Sequence, residues 1–214
     1  IAEHYTREYG RPCEVVTNAP FFVEQAPRPV DPETIRIVYH GATNSSRGLD
    51  GMFQLMDELD RRFTLDLVLI PNDPAAYESL RRKAETHPRV CLKPPVPVEE
   101  IPLYLNKYDL GLYMLNPSVP NQKWALPNKL FEFVQARLGV AIWPSPEMAK
   151  LVKAHGLGVV AEEYSTGALA RALNALQAED VARFKQAAHA AAFALSAESN
   201  RSRLLQIVGE MTGS

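Results

Sequence analysis

From Ile35 onward, short apolar runs alternate with segments of helical period. Ile35-Arg36-Ile37-Val38-Tyr39, Leu65 to Ile70, Val90-Cys91-Leu92, Asp109 to Leu115, Val140-Ala141-Ile142-Trp143 and Gly158-Val159-Val160-Ala161 read as six strands. Between them, Leu49, Met52, Phe53 and Met56 recur at helical spacing. Further helices are predicted over about 75–86, around Ile101 to Leu105, over about 128–137 and over 147–155. Gly139 and Gly156 are their expected stops. The Ala- and Leu-rich stretch from Thr166 predicts two or three more helices, broken near Ser196 to Asn200. Strands apolar on both faces imply a parallel sheet covered by helices on each side. The expected fold is α/β, a doubly wound Rossmann-like parallel sheet of about six strands with a helical C-terminus. In such a sheet, ligands sit at the carboxyl ends of the strands, near the switch in strand order. That rule selects the loops 41–48, 93–97 and 116–129.

The first 34 residues follow a different pattern. Residues 1–17 suggest a short helix feeding a short strand at Glu14-Val15-Val16-Thr17. Pro20, Pro27, Pro29 and Pro32 then suggest a stiff, extended linker. The chain opens at Ile1 without a Met, as if cut from a longer protein.

Composition narrows the partners. The 214 residues are 46% hydrophobic and 22% charged with a net charge of −2, enough for one large domain. Near-neutral charge argues against a dedicated nucleic-acid binder. Cys13 and Cys91 can form no disulfide framework, and no His/Cys/Asp/Glu set has metal spacing, so no metal and no cofactor are expected. No signal peptide is visible, and no apolar stretch approaches the roughly 18 residues that span a bilayer. The expected location is cytoplasmic, compatible with contact at the inner face of the membrane.

Three loops carry candidate chemistry. In Leu126-Pro127-Asn128-Lys129-Leu130-Phe131-Glu132-Phe133, proline suits the first turn of a helix. The N–H groups of Asn128, Lys129 and Leu130 and the helix dipole would attract an anion, aided by the Lys129 charge. Glu132, one turn on, can accept two hydroxyl hydrogen bonds, as from a ribose. An ordinary helix with a solvated Glu and Lys reads equally well. Gly41 permits close approach after the first strand, and Asn44, Ser45, Ser46 and Arg47 offer donors to a phosphate. This segment is neither G-x-G-x-x-G nor a P-loop; it also reads as a plain polar turn, and His40 more often packs than binds. Lys93-Pro94-Pro95-Val96-Pro97 is stiff and suits recognition of a base edge, or is simply a turn.

At Pro127-Asn128-Lys129-Leu130-Phe131-Glu132-Phe133 the chain resembles the P-N-K-L-F-E-Y signature of group 1 (family 4) glycosyltransferases, which have the GT-B fold. Ala136-Arg137-Leu138-Gly139-Val140-Ala141 resembles the step that follows it, and Val38-Tyr39-His40-Gly41 with Arg47-Gly48 the family's opening. Pro88 to Leu92 and Leu195 to Leu205 resemble its base-loop strand and closing helix, all in the family's order. Trp124 stands where a second glutamate is common, eight positions before Glu132, and Ala42 where an arginine is common.

The resemblance implies the C-terminal, nucleotide-sugar-binding half of a retaining hexosyltransferase active in polysaccharide biosynthesis. Asn128 to Leu130 would hold the diphosphate, Glu132 the ribose hydroxyls, and Arg47 a phosphate. Gly41 would give close approach, and Leu92 to Pro94 with Lys93 would read the base. Residues 1–24 become the tail of a preceding acceptor domain, which would hold the catalytic residues. Residues 25–34 become a linker, 35–195 the donor domain and 196–214 a C-terminal helix. The partners would be a nucleotide-diphosphate sugar, a glycan or lipid-linked acceptor, and the preceding domain. The fragment alone would be inactive. A nucleotide-sugar 2-epimerase and a non-catalytic Rossmann-like module fit the same architecture.

Overall fold

The computed structural model describes residues 1–43, 48–118 and 120–212, apart from the side chains of Pro120 and Met211. Six strands form one parallel sheet: β1 (Ile35–Ala42), β2 (Phe63–Ile70), β3 (Val90–Lys93), β4 (Leu110–Tyr113), β5 (Gly139–Ile142) and β6 (Gly158–Val160). Their order is β3-β2-β1-β4-β5-β6, and every pairing is parallel. The switch in strand order therefore lies between β1 and β4. All residues of β4 and β5 are buried, as expected for strands covered on both faces.

Helices fill the crossovers: α2 (Asp50–Glu58), α3 (Pro74–Thr86), α4 (Ile101–Leu105), the short α5 (Pro120–Lys123), α6 (Asn128–Gln135) and α7 (Pro146–His155). After β6 come α8 (Thr166–Asn174), α9 (Ala178–Ala191) and α10 (Ala197–Thr212). Right-handed crossovers place α2 and α3 on one face and α4, α6 and α7 on the other. Among the tail helices, α8 packs against α2 and α9 against α6. Among the described residues, no helix is long and apolar enough to cross a membrane.

One close approach fixes α6 on the sheet. Gly111 in β4 lies directly under the Phe133 ring, and a Cβ there would come within 2.3 Å of a ring carbon. Only glycine lets α6 sit this close to the strand.

The N-terminal region departs from expectation at its first strand. The helix α1 (Ala2–Tyr9) forms, but Glu14-Val15-Val16-Thr17 has no regular structure. Among the described residues it pairs with no strand, and an unpaired strand is not stable in water. The proline-rich stretch, in turn, is docked along the domain. Gln135 Oε1 accepts from the Val23 N–H at 3.2 Å, and Arg137 Nη2 donates to the Val23 carbonyl at 2.6 Å. Asn106 Nδ2 donates to the Ala26 carbonyl, and Arg28 Nε donates to Asn106 Oδ1. Glu198 accepts from the Phe22 N–H at 2.8 Å, and Asn200 Nδ2 donates to the Thr17 carbonyl.

The stop of α6 also differs from the expected one. Its end is set by Arg137, at φ 61, before Gly139 is reached. The Leu138 N–H bonds the Phe133 carbonyl and the Arg137 N–H bonds the Val134 carbonyl, which closes the helix in a Schellman motif. A non-glycine residue there is strained by about 1–2 kcal/mol. The strain is offset by the buried guanidinium, which donates to the carbonyls of Val134, Gln135 and Val23 and to His189 Nδ1. Burial pulls the Arg137 pKa below its ordinary value, with Glu24 opposing.

Candidate functional site

Described residues from each of the three loops chosen by the carboxyl-end rule meet at the switch point. They line two adjoining cavities that share His40, Gly41 and Ile101. The first is a polar cleft of about 310 Å³, which also takes in Tyr113, Asn128, Lys129 and Glu132. The second is an apolar slot of about 50 Å³ completed by Val68, Pro95 and Val96.

The cleft is built on the start of α6. Pro127 at φ −76 and ψ 150 leads the chain in, and no side chain caps the helix. The α3 and α8 N-termini are instead sealed by Asp73 and Ser165. The α7 start lacks a side-chain cap too, but its Glu147 lines another cavity, beside α1. In α6, the N–H groups of Asn128 and Lys129 belong to the first turn, which has no carbonyl inside the helix to bond. Leu130 corrects the expectation: its N–H donates to the Pro127 carbonyl at 3.1 Å and its side chain is buried.

Lys129 is closely positioned. Its Nζ lies 5.7 Å from the Tyr39 ring centre and 5.5 Å from that of Tyr113. The two rings stack at 6.4 Å with 9° between their planes. The lysine stem rests on Gly41, where a Cβ would come 2.6 Å from Cε. Gly41 has φ 133, a conformation suited to glycine, and lies inside β1 opposite Leu69 rather than beyond the strand. The close approach expected at Gly41 is thus made by the protein's own ammonium.

Glu132 faces the same cleft with a 13% exposed side chain. Its Oε2 lies 3.2 Å from Nε2 of His40, whose side chain is 6% exposed and meets Phe133 edge-on. Lys93 turns away: its Nζ lies 3.6 Å from Asp66 Oδ2, and it lines neither cavity. Arg47 lies outside the described residues. Trp124 lines a separate cavity of about 670 Å³ beside α1. Sequence reasoning missed Tyr113, Ile101 and the pairing of His40 with Glu132, because only the strand order brings these segments together.

A second charged cluster is paired within the protein. The buried Asp109 accepts from Arg36 and from Lys185 Nζ at 3.1 Å. Among the described residues, no group of three or more His, Cys, Asp or Glu could hold a metal ion.

A six-stranded parallel sheet in this order, with helices on both faces, defines a doubly wound, Rossmann-like α/β domain. No family model and no curated protein match the chain. Solved structures do. WaaG, a glycosyltransferase involved in lipopolysaccharide biosynthesis, is 17% identical with a TM-score of 0.57 over 89% of this chain and 46% of that one. The C-terminal domain of the Francisella tularensis group 1 glycosyl transferase LpcC is 14% identical, with a TM-score of 0.57 over 77% of this chain and 85% of that one. Anabaena HepE, solved with UDP and glucose, is 13% identical with a TM-score of 0.67 over 83% of this chain and 49% of that one. The fold is therefore that of the C-terminal half of GT-B glycosyltransferases. The chain spans less than half the length of WaaG and HepE.

Proposed function

We propose that this chain is the donor-binding half of a group 1 retaining glycosyltransferase. It binds a nucleotide-diphosphate sugar for transfer of a hexose to a glycan or lipid-linked acceptor in polysaccharide assembly at the cytoplasmic face of a membrane. The preceding domain would supply the acceptor site and the catalytic residues, with residues 1–24 as its tail. One observation carries the reading. The start of α6, the Lys129 ammonium and the Glu132 carboxylate open into a single cleft beside an apolar slot. A diphosphate fits the helix start and the ammonium, a ribose diol the carboxylate, and a base the slot between Val68, Pro95 and Val96. Arg47, which follows β1 in the sequence, would add a phosphate contact.

The chemistry needs no metal in this reading. Transfer leaves a nucleoside diphosphate, whose developing negative charge the helix dipole and Lys129 stabilise. The neighbour HepE was solved with UDP, in keeping with a nucleoside diphosphate as ligand. A 2-epimerase would need further carboxylates and a histidine across the cleft. His40, the histidine of this cleft, is buried against Phe133 and Glu132.

Thermal unfolding with millimolar UDP, GDP or ADP tests the reading. At least one should raise Tm, because a ligand bound only by the native state stabilises it. No shift with any of the three overturns donor binding.

A further inference from the structure

We infer that His40 is a positioning residue for Glu132, holding one carboxylate oxygen so that the other is presented to a vicinal diol. The inference rests on the donor-site reading and deepens it. A chain of close contacts carries it. Gly111 admits the Phe133 ring against β4. That ring meets the His40 ring edge-on, with centres 5.4 Å apart and planes at 89°. His40 Nε2 is thereby fixed 3.2 Å from Glu132 Oε2.

Nε2 is buried, and among the described residues no other acceptor meets it. The pair is close but does not meet hydrogen-bond geometry, so the contact is one of charge and dipole rather than an aligned hydrogen bond. Burying an imidazole nitrogen at the end of an apolar strand is costly when nothing answers it. A leucine or phenylalanine would fill the same space without that cost. What the nitrogen adds is a partner for Glu132. Among the described residues Oε1 makes no hydrogen bond and remains for a ligand. His40 also lines both the polar cleft and the apolar slot, at the joint where a ribose would join diphosphate to base.

The test is equilibrium binding by calorimetry. The tightest of UDP, GDP and ADP is compared with its 2′,3′-dideoxy counterpart on wild type, His40→Phe and His40→Gln. Wild type should favour the ribonucleotide by about tenfold or more, the size of one charge-assisted hydrogen bond. His40→Phe keeps the ring on Phe133 but lacks the nitrogen. It should cut that preference to about twofold and weaken the ribonucleotide more than the dideoxy form. His40→Gln, with an amide N–H, should restore most of the preference. A purely structural role would lower Tm or weaken both nucleotides equally. Should His40→Phe not fold, His40→Met gives the same comparison. Full preference in these donor-less variants overturns the inference while donor binding stands. Wild type that binds nucleotide without diol preference does the same. Wild type that binds none of the three overturns the donor-site reading and the inference with it.

Discussion

The two ends of α6 lie about 12 Å apart and use their polar residues in opposite ways. At the C-terminal end, Gln135 and Arg137 are buried and spend their donors and acceptors on the protein itself. They staple the incoming segment at Val23 and Gln25 to the domain. At the N-terminal end, Lys129 and Glu132 border an open cleft, and Pro127 supplies no side-chain cap. One helix thus has an end buried in the protein and an end that faces an open cleft. Polar residues alone do not mark a site; what distinguishes the ends is that one is buried within the protein and the other borders a cleft.

Mutations at the two ends should therefore separate. The largest effect is expected from Arg137→Ala. It orphans the Val23 carbonyl and removes four donor contacts, and urea unfolding should show a loss of about 3 kcal/mol. Nucleotide affinity of the folded fraction should be unchanged. Gly111→Ala drives a methyl into the Phe133 ring at the middle of the helix, and should cost about 1–3 kcal/mol by the same measurement. At the open end, Glu132→Ala should leave stability within about 1 kcal/mol. Calorimetry should show nucleoside diphosphate affinity falling at least tenfold, since each charge-assisted hydrogen bond is worth about 1.5–3 kcal/mol. Lys129→Met keeps the stem over Gly41 and loses the charge. It should weaken the diphosphate about fivefold, or ~1 kcal/mol, and leave the nucleoside itself unaffected.

The buried end was also the less legible one. The strands and the start of α6 are local signals: both faces of β4 and β5 are apolar, and Pro127 precedes a helical period. The carboxyl-end rule for parallel sheets needs no strand order, which is why loops 41–48, 93–97 and 116–129 could be chosen in advance. The docking of residues 17–28 was not readable. It depends on single polar side chains contacting backbone more than a hundred residues away, as Arg137 does at Val23 and Glu198 at Phe22. Prolines in that stretch looked like a linker because composition reports stiffness and says nothing of docking. The left-handed Arg137 escaped for a related reason: the usual signal is glycine, and here a tertiary network holds the strained residue. Within the site, Asn128, Lys129, Glu132 and Gly41 were placed together as expected. Lys93 was drawn off by Asp66, and the Leu130 N–H by Pro127. Neither partner is visible in a local motif.

The most direct measurement is a nitrogen–proton NMR titration of the chain with UDP, GDP and ADP. The account predicts saturable shifts at Gly41, Val96, Asn128, Lys129 and Glu132, and unmoved resonances at Val23, Gln135 and Arg137. Shifts centred on the buried end of α6, or none at the cleft with any of the three, would contradict it.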